Sequence, residues 1–372
     1  MSSTEMAGKI TWVNGFVADI TQKDSDVPSA EPSLSYPNSK DTSQSSNSES
    51  YESQSYVPPG RQVNFGLPNL GMSCFANSVL NSLYFVPQFY GCFLSVSRPA
   101  TGLASQLKLF VTQYGKQEIS QSLLSQIREH SSKFPYGAQK GAYDFLLSLL
   151  QTIDETANSS CGTKPGSQAS WEATLRWHQS SGCRPLNEIF SVLLEEKKTC
   201  SKCRSSTSAY TYWRTLSLDL APGKQRASSE YQSAAFSIEN CLSNFLDPQE
   251  DTREAMHRCK NCGKDQIHIN VKFFKYIGSA LVIYLQRFHS ENPRAPVSIP
   301  EVIDMSRYLP GAGSYSLRSA IHHNGSAMAG HYTCYAKIRN DWLHLNDSSV
   351  SMAGSLKYSL NSCILFIYSK DV

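Results

Sequence analysis

Cys74 lies in Gly66-Leu67-Pro68-Asn69-Leu70-Gly71-Met72-Ser73-Cys74-Phe75-Ala76-Asn77-Ser78, a glycine-punctuated turn followed by Val79, Leu80 and Leu83 at helical spacing. The pattern predicts a helix that starts at the cysteine, with Ser73 as its N-cap. The thiol would then face unpaired backbone N–H groups at the positive end of the helix dipole. Such a setting lowers a thiol pKa and favours the thiolate, the form that attacks carbonyls. A nucleophile of this kind needs a base. Gly330-His331-Tyr332 supplies a histidine at the start of a strand-like run, and Trp342-Leu343-His344-Leu345-Asn346-Asp347 is a second run ending in an amide and an acid. If the two runs pair as a hairpin, Asn346 or Asp347 returns to His331. That would complete a Cys–His–Asn/Asp triad whose third member fixes the imidazole's tautomer and orientation. Taken singly, the cysteine reads as a small buried hydrophobe and the histidine, one of nine, as structural. Only the combination points to catalysis.

A second constellation is Cys200-Ser201-Lys202-Cys203 and, after 55 intervening residues, Cys259-Lys260-Asn261-Cys262-Gly263. Two matched Cys-x-x-Cys pairs in turn-like, lysine-containing contexts can supply four thiolates to a tetrahedral zinc. The wide separation places the two knuckles at the tips of two β-hairpins joined by metal. A redox pair or plain free thiols are the other readings. A catalytic zinc is not expected, because four thiolates leave no open position.

The elements that must position these residues change along the chain. Residues 63–160 read mostly helical, with Leu103–Tyr114, Leu123–His130 and Ala142–Ile153 after the Cys74 helix. Residues 157–182 read as a polar surface insertion with a short helix near Trp171–Trp177. From about Phe190, β-branched and aromatic runs predict strands over Tyr210–Leu220, His268–Tyr276, Ala280–Phe288, Tyr315–His323, His331–Arg339 and Cys363–Tyr368. Helices followed by strands indicate an α+β architecture. Residues 1–62 form a Ser/Pro-rich acidic tail, read as disordered over about Thr21–Gly60. Within it Val13, Phe16, Val17 and Ile20 have the spacing of one helix face, although a loose tail is the simpler reading. The first 60 residues hold three Lys and no Arg against eight acids, so the chain's net +3 leaves +8 on the remainder. That charge is too dilute over more than 300 residues to indicate nucleic acid. The sequence contains neither a signal-peptide pattern nor an apolar run of membrane-spanning length, and eleven cysteines suit a reducing compartment, cytoplasm or nucleus. A monomer with no nucleic-acid or membrane partner is expected.

Together these motifs resemble the ubiquitin-specific proteases. The Cys74 run is similar to the family's cysteine box, and Ser319–Val350, with His322-His323-Asn324-Gly325 ahead of Gly330-His331-Tyr332, is similar to its histidine box. The run Leu281-Val282-Ile283-Tyr284-Leu285-Gln286-Arg287-Phe288 resembles the family's Leu-x-Arg-Phe strand, and the four cysteines occupy the place of its zinc-bearing fingers. The resemblance spans residues 63–372 in the family's order. It implies a papain-like α+β fold with a helical thumb (about 63–189), zinc-ribbon-like β fingers (about 190–278) and a β-sheet palm (about 279–372). It further implies a thiol-dependent deubiquitinase whose partner is ubiquitin or ubiquitinated proteins. Carried over, Cys74 is the nucleophile, His331 the base and then acid, and Asn346 the third triad member, with Asp347 as an assisting neighbour. Asn69 matches the family's oxyanion donor, a contribution on the order of 3 kcal/mol. Asp144, His323, Gly330 and Tyr332 would line the path of the modifier's tail, and Cys200, Cys203, Cys259 and Cys262 would hold a structural Zn2+.

Two departures accompany the resemblance. Gly71-Met72-Ser73 stands where the family often has Gly-Asn-Thr. In Gln139-Lys140-Gly141-Ala142-Tyr143-Asp144-Phe145-Leu146, Gly141 replaces an acid, Lys140 adds a positive charge and Asp144 shortens a second acid. Losing a carboxylate that faces an arginine costs about 1–3 kcal/mol of binding. The same chemistry on another ubiquitin-like modifier, or a catalytically weak ubiquitin-binding adaptor, are therefore the alternative readings.

Overall fold

The computed structural model describes residues 66–94, 102–130, 133–135, 137–157, 166, 169–179, 186–220, 236–251, 256–290, 295–326, 329–353 and 362–371. The expectations for the acidic tail and for most of 157–182 fall outside these residues. The helices are α1 (Cys74–Tyr84), α2 (Pro87–Leu94), α3 (Leu103–Thr112), α4 (Gln117–His130), α5 (Ala142–Ala157), α6 (Trp171–Gln179) and α7 (Ile238–Leu246). The strands of the first half are β1 (Val192–Cys200), β2 (Ser206–Trp213), β3 (Leu216–Leu218), β4 (Phe236–Ser237), β5 (Gln249–Glu250), β6 (His257–Arg258), β7 (Asp265–Gln266) and β8 (His268–Ile277). Those of the second half are β9 (Ala280–Leu285), β10 (Val297–Ser298), β11 (Val302–Asp304), β12 (Ser314–Gly325), β13 (Gly330–Ile338), β14 (Asp341–Asn346), β15 (Ser349–Ala353) and β16 (Cys363–Ser369).

Helix α1 is the hub. Every one of its residues is buried, and it packs against β13, β12 and α5. Phe75, Val79, Leu80 and Leu83 join α2–α5 and the inner face of the large sheet in one apolar core. That sheet runs β15-β14-β13-β12-β16-β9-β3, with β11 against β12, and a smaller sheet runs β2-β1-β8-β5. The second core lies under the smaller sheet, where Val192, Leu194 and Phe274 meet Leu216, Leu281 and Tyr315. No helix among the described residues is long and apolar enough to cross a membrane.

The expected strand over Tyr210–Leu220 is two strands in two sheets. Arg214 breaks it by turning inward, where Nη1 donates to the carbonyls of Leu186 (2.7 Å) and Phe190 (2.9 Å) and Nη2 pairs with Asp154. β1 escaped the sequence pattern because its second half, Glu195-Glu196-Lys197-Lys198, is charged on a half-solvated ribbon. Helix α7 interrupts the strand-rich half, and Ser237 caps it by accepting from the Asn240 N–H.

Candidate active site and metal centre

The turn of residues 66–73 delivers Cys74 to the first position of α1, as its glycine and Ser73 suggest. The capping differs from expectation. Ser73 occupies the N-cap position but makes no side-chain cap; its hydroxyl accepts from the Leu70 N–H at 2.8 Å, folding the loop back on itself. Gly71 and Met72 both have positive φ (78° and 54°), a region where methionine is strained and asparagine is comfortable.

The expected lowering of the Cys74 pKa does not hold. N–H groups of Tyr332, Phe75 and Cys74 itself favour the thiolate, as a helix start should. Burial outweighs them and, with the Asp347 carboxylate, pushes the thiol upward. The side chain is 4% exposed, so the ion is deprived of water on most sides. Cys74 at rest is therefore a thiol. Its alkylation by iodoacetamide should rise about tenfold per pH unit between pH 7 and 9, because each unit raises the thiolate fraction tenfold. A rate already flat at pH 7, read by mass spectrometry at Cys74, would indicate a preformed thiolate instead.

The expected hairpin forms. β13 pairs antiparallel with β14, with Cys334 opposite Leu345 and Tyr335 opposite His344. This register brings His331 Nε2 to 2.7 Å from Asn346 Oδ1. With the amide oxygen as acceptor, Nε2 carries the hydrogen and Nδ1 is left as the basic nitrogen. Of the two candidates at the end of β14, Asn346 is the one hydrogen-bonded to the imidazole. Cys74 touches the same strand one residue on, at the Tyr332 N–H, and no hydrogen bond joins Cys74 to His331. Thiol and imidazole therefore lie on adjoining elements, at the start of α1 and near the start of β13, which pack against each other.

Asp347 has a different role from an imidazole partner. Its Oδ2 accepts from Asn69 Nδ2 at 2.9 Å and its Oδ1 from Asn77 Nδ2 at 2.8 Å. Asn69 Oδ1 in turn accepts from the Ser73 N–H at 3.1 Å. Asn69 Nδ2 keeps a second hydrogen, so the amide remains able to donate elsewhere.

A cleft of about 470 Å³ leads to Cys74 and is lined by Lys140, Gly141, Asp144, His323, Gly330 and Tyr332 among others. All four residues expected along a tail path are thus brought together, while His331, Asn346 and Asn69 lie outside the lining. His323 is packed between Phe288 and Tyr332, with ring centroids at 5.3 and 4.4 Å, and burial pulls its pKa down so that it is neutral at pH 7. Gly330 is required by this packing, since a Cβ there would stand 2.3 Å from His323 Nε2. Burial raises the Tyr332 phenol to about 12. Asp144 sits in the first turn of α5, where the helix dipole favours a carboxylate. Across the cleft Gln139 Nε2 donates to the Gly330 carbonyl at 3.2 Å.

The four predicted ligand cysteines converge. Cys200–Cys203 sits at the β1–β2 tip and Cys259–Cys262 at the β6–β7 tip, with all four sulfurs within 4.8 Å of one another. The Cys200–Cys262 and Cys203–Cys259 separations are 3.9 and 3.6 Å. A tetrahedron with metal–sulfur bonds of about 2.3 Å has edges of about 3.8 Å, so the set fits a four-thiolate metal. Four thiols so close cannot all ionise without a cation. The Ser205 hydroxyl helps draw Cys203 down to about 5, whereas neighbouring thiols push Cys262 up to about 12.

Sequence reasoning missed Asn77 and gave Gln139 no role. The signal for Asn77 was an amide three residues after Cys74, at helical spacing from it.

The family model for the ubiquitin carboxyl-terminal hydrolases matches residues 65–368, the span that contains the cleft, the hairpin and the thiol cluster. The chain belongs to this family. Ubiquitin carboxyl-terminal hydrolase 51 of Mus musculus is 26% identical over 360 residues, covering 82% of this chain and 51% of the relative. Ubiquitin carboxyl-terminal hydrolase 3 of Homo sapiens is 25% identical over 337 residues, covering 77% and 64%. The chain thus spans about half to just under two thirds of these hydrolases. Among solved structures, the SAGA Ubp8/Sgf11/Sus1/Sgf73 DUB module bound to ubiquitin aldehyde matches with a TM-score of 0.64 at 21% identity, covering 82% of this chain and 69% of that one. A variant of that module bound to monoubiquitin matches at 0.65 and 20%, covering 86% and 72%. These likenesses establish the papain-like fold with its helical thumb, sheet palm and β fingers.

Proposed function

We propose that this ubiquitin carboxyl-terminal hydrolase family member is a thiol-dependent deubiquitinase that cleaves the bond after the C-terminal glycine of ubiquitin. The observation that carries the reading is the His331 Nε2–Asn346 Oδ1 hydrogen bond on the strand that Cys74 abuts. His331 Nδ1 takes the Cys74 proton, and sulfur attacks the glycine carbonyl carbon. The spare Nδ2 hydrogen of Asn69 meets the developing oxyanion. The imidazolium then gives its proton to the departing lysine amine, leaving a thioester. Water, deprotonated by His331, adds to the thioester, releasing the carboxylate and restoring the thiol. Ubiquitin's slender Gly-Gly end suits a cleft that runs between α5 and β13 to the sulfur. The four cysteines hold a structural Zn2+ that closes the two hairpin tips. We place its work in a reducing compartment, cytoplasm or nucleus, which the chain's eleven cysteines suit.

The test is hydrolysis of ubiquitin carrying a fluorogenic amide at its C-terminus. Turnover that disappears on alkylation of Cys74 supports the reading, and no turnover by the fresh chain contradicts it.

Gly141 and Asp144 govern how tightly the tail is held. A Cβ at position 141 would lie 2.8 Å from Asp144 Oδ2, so the Asp144 carboxylate leans into the space the glycine leaves open. Gly141→Asp alone should therefore fail to lower KM, because two carboxylates would contend for one place. Gly141→Asp with Asp144→Glu and Lys140→Gln should lower KM about tenfold, consistent with about 1–3 kcal/mol for a restored charge pair. Steady-state kinetics on the same substrate distinguish the two outcomes.

A further inference from the structure

We infer that Asn77 is a positioning residue for the reaction, acting through Asp347 on both Asn69 and the Asn346–His331 pair; the inference rests on the deubiquitinase reading. Asn77 lies one turn into α1 from Cys74 and is 1% exposed. Its Nδ2 faces three oxygens, the carbonyls of Leu67 (3.2 Å) and Pro68 (3.1 Å) and Asp347 Oδ1 (2.8 Å). Three acceptors around one terminus fix the amide's orientation, since the reverse placement would set oxygen against oxygen. Asp347 is bolted at both oxygens, by Asn77 on one and Asn69 on the other. It sits at φ 50° directly after Asn346, so its side chain sets how the turn presents Asn346 to His331. A backbone seam reinforces the join. Gly66 N–H donates to Ser348 O at 3.1 Å, and a Cβ on Gly66 would lie 1.9 Å from Asp347 O. The buried amide therefore ties three pieces together: the nucleophile's helix, the loop with the oxyanion donor and the turn with the imidazole's partner. A carboxylate held at both oxygens that loses one of its two donors must find another or move.

The experiment compares Asn77→Leu, which removes both hydrogens at similar volume, and Asn77→Ser, which keeps one donor, with Ser82→Ala as a control. Ser82 is buried on the same helix, with its hydroxyl on Val79 O. The expected result is a 10²–10³-fold fall in kcat on the fluorogenic ubiquitin amide for Asn77→Leu, on the order of what one oxyanion donor supplies, and a smaller fall for Asn77→Ser. KM should stay within about threefold and Cys74 alkylation by iodoacetamide within about fivefold, because alkylation needs neither oxyanion donor nor general acid. Ser82→Ala should leave kcat unchanged. If Asn77→Leu does not fold, Asn77→Ser carries the test by the same split between kcat and alkylation. Wild-type turnover with kcat unchanged in the folded Asn77 variants would overturn the positioning role, as would kcat and alkylation falling together. A wild-type chain without turnover would overturn the reading beneath it.

Discussion

Cys74→Ala should slow hydrolysis of ubiquitin C-terminal amides by a factor on the order of 10⁴ or more, with little change in stability or ubiquitin affinity. Among the described residues, the hydroxyl next to Cys74 is not free to take its place. The adjacent Ser73 hydroxyl is buried and engaged, accepting from Leu70 N–H and lying 3.4 Å from Asn69 Oδ1. Cys74→Ala removes one buried heavy atom, the sulfur, at a cost of about 1 kcal/mol. His331→Ala should produce a loss of similar size, and the double variant should be hardly worse, because groups that act as a unit are not additive. Rates, thermal unfolding and calorimetric binding to free ubiquitin check the three parts separately. Loss of binding together with loss of rate would indicate that the substitution had damaged the cleft.

Removal of the metal should have the second-largest effect, on the fold rather than on chemistry. Elemental analysis should find one zinc per chain, and chelation or Cys200→Ser should destabilise the chain by about 4 kcal/mol or more. The two knuckles belong to separate hairpins. β1–β2 is part of the four-stranded sheet, whereas β6–β7 is a ribbon of two-residue strands too short to stand alone. The four sulfurs join the two tips, so the β6–β7 ribbon should lose protection from hydrogen exchange first. Helix α1, which carries Cys74, packs in the other core, and Cys74 alkylation should survive the loss of metal. A zinc-free chain of full stability would refute the four-thiolate assignment.

Much of this arrangement was legible in the residues because local chemistry and global fold agree there. Glycines before Cys74 and an apolar period after it specify a turn and a helix. Gly330-His331-Tyr332 and the run to Asn346 specify two strands whose register places His331 on Asn346. The Cys-x-x-Cys pairs specify hairpin tips. The sequence was silent where tertiary context decides. Whether a helix start lowers a thiol pKa depends on how much water the fold leaves around it, and with Cys74 4% exposed the burial outweighs the amides. The break between β2 and β3 depends on Arg214 finding carbonyls from a distant loop. The Asp347 bolt depends on Asn77, 270 residues away, whose spacing in a helix says only that it faces inward.

The central claim is that Cys74 becomes the attacking sulfur for a ubiquitin tail laid between α5 and β13. The most direct measurement is to incubate the full chain with ubiquitin bearing a C-terminal electrophile and to map the adduct by mass spectrometry. A single covalent ubiquitin on Cys74, absent when His331 is replaced by alanine, is the predicted result. Labelling at any other cysteine, or none at all on a folded, ubiquitin-binding chain, would contradict it.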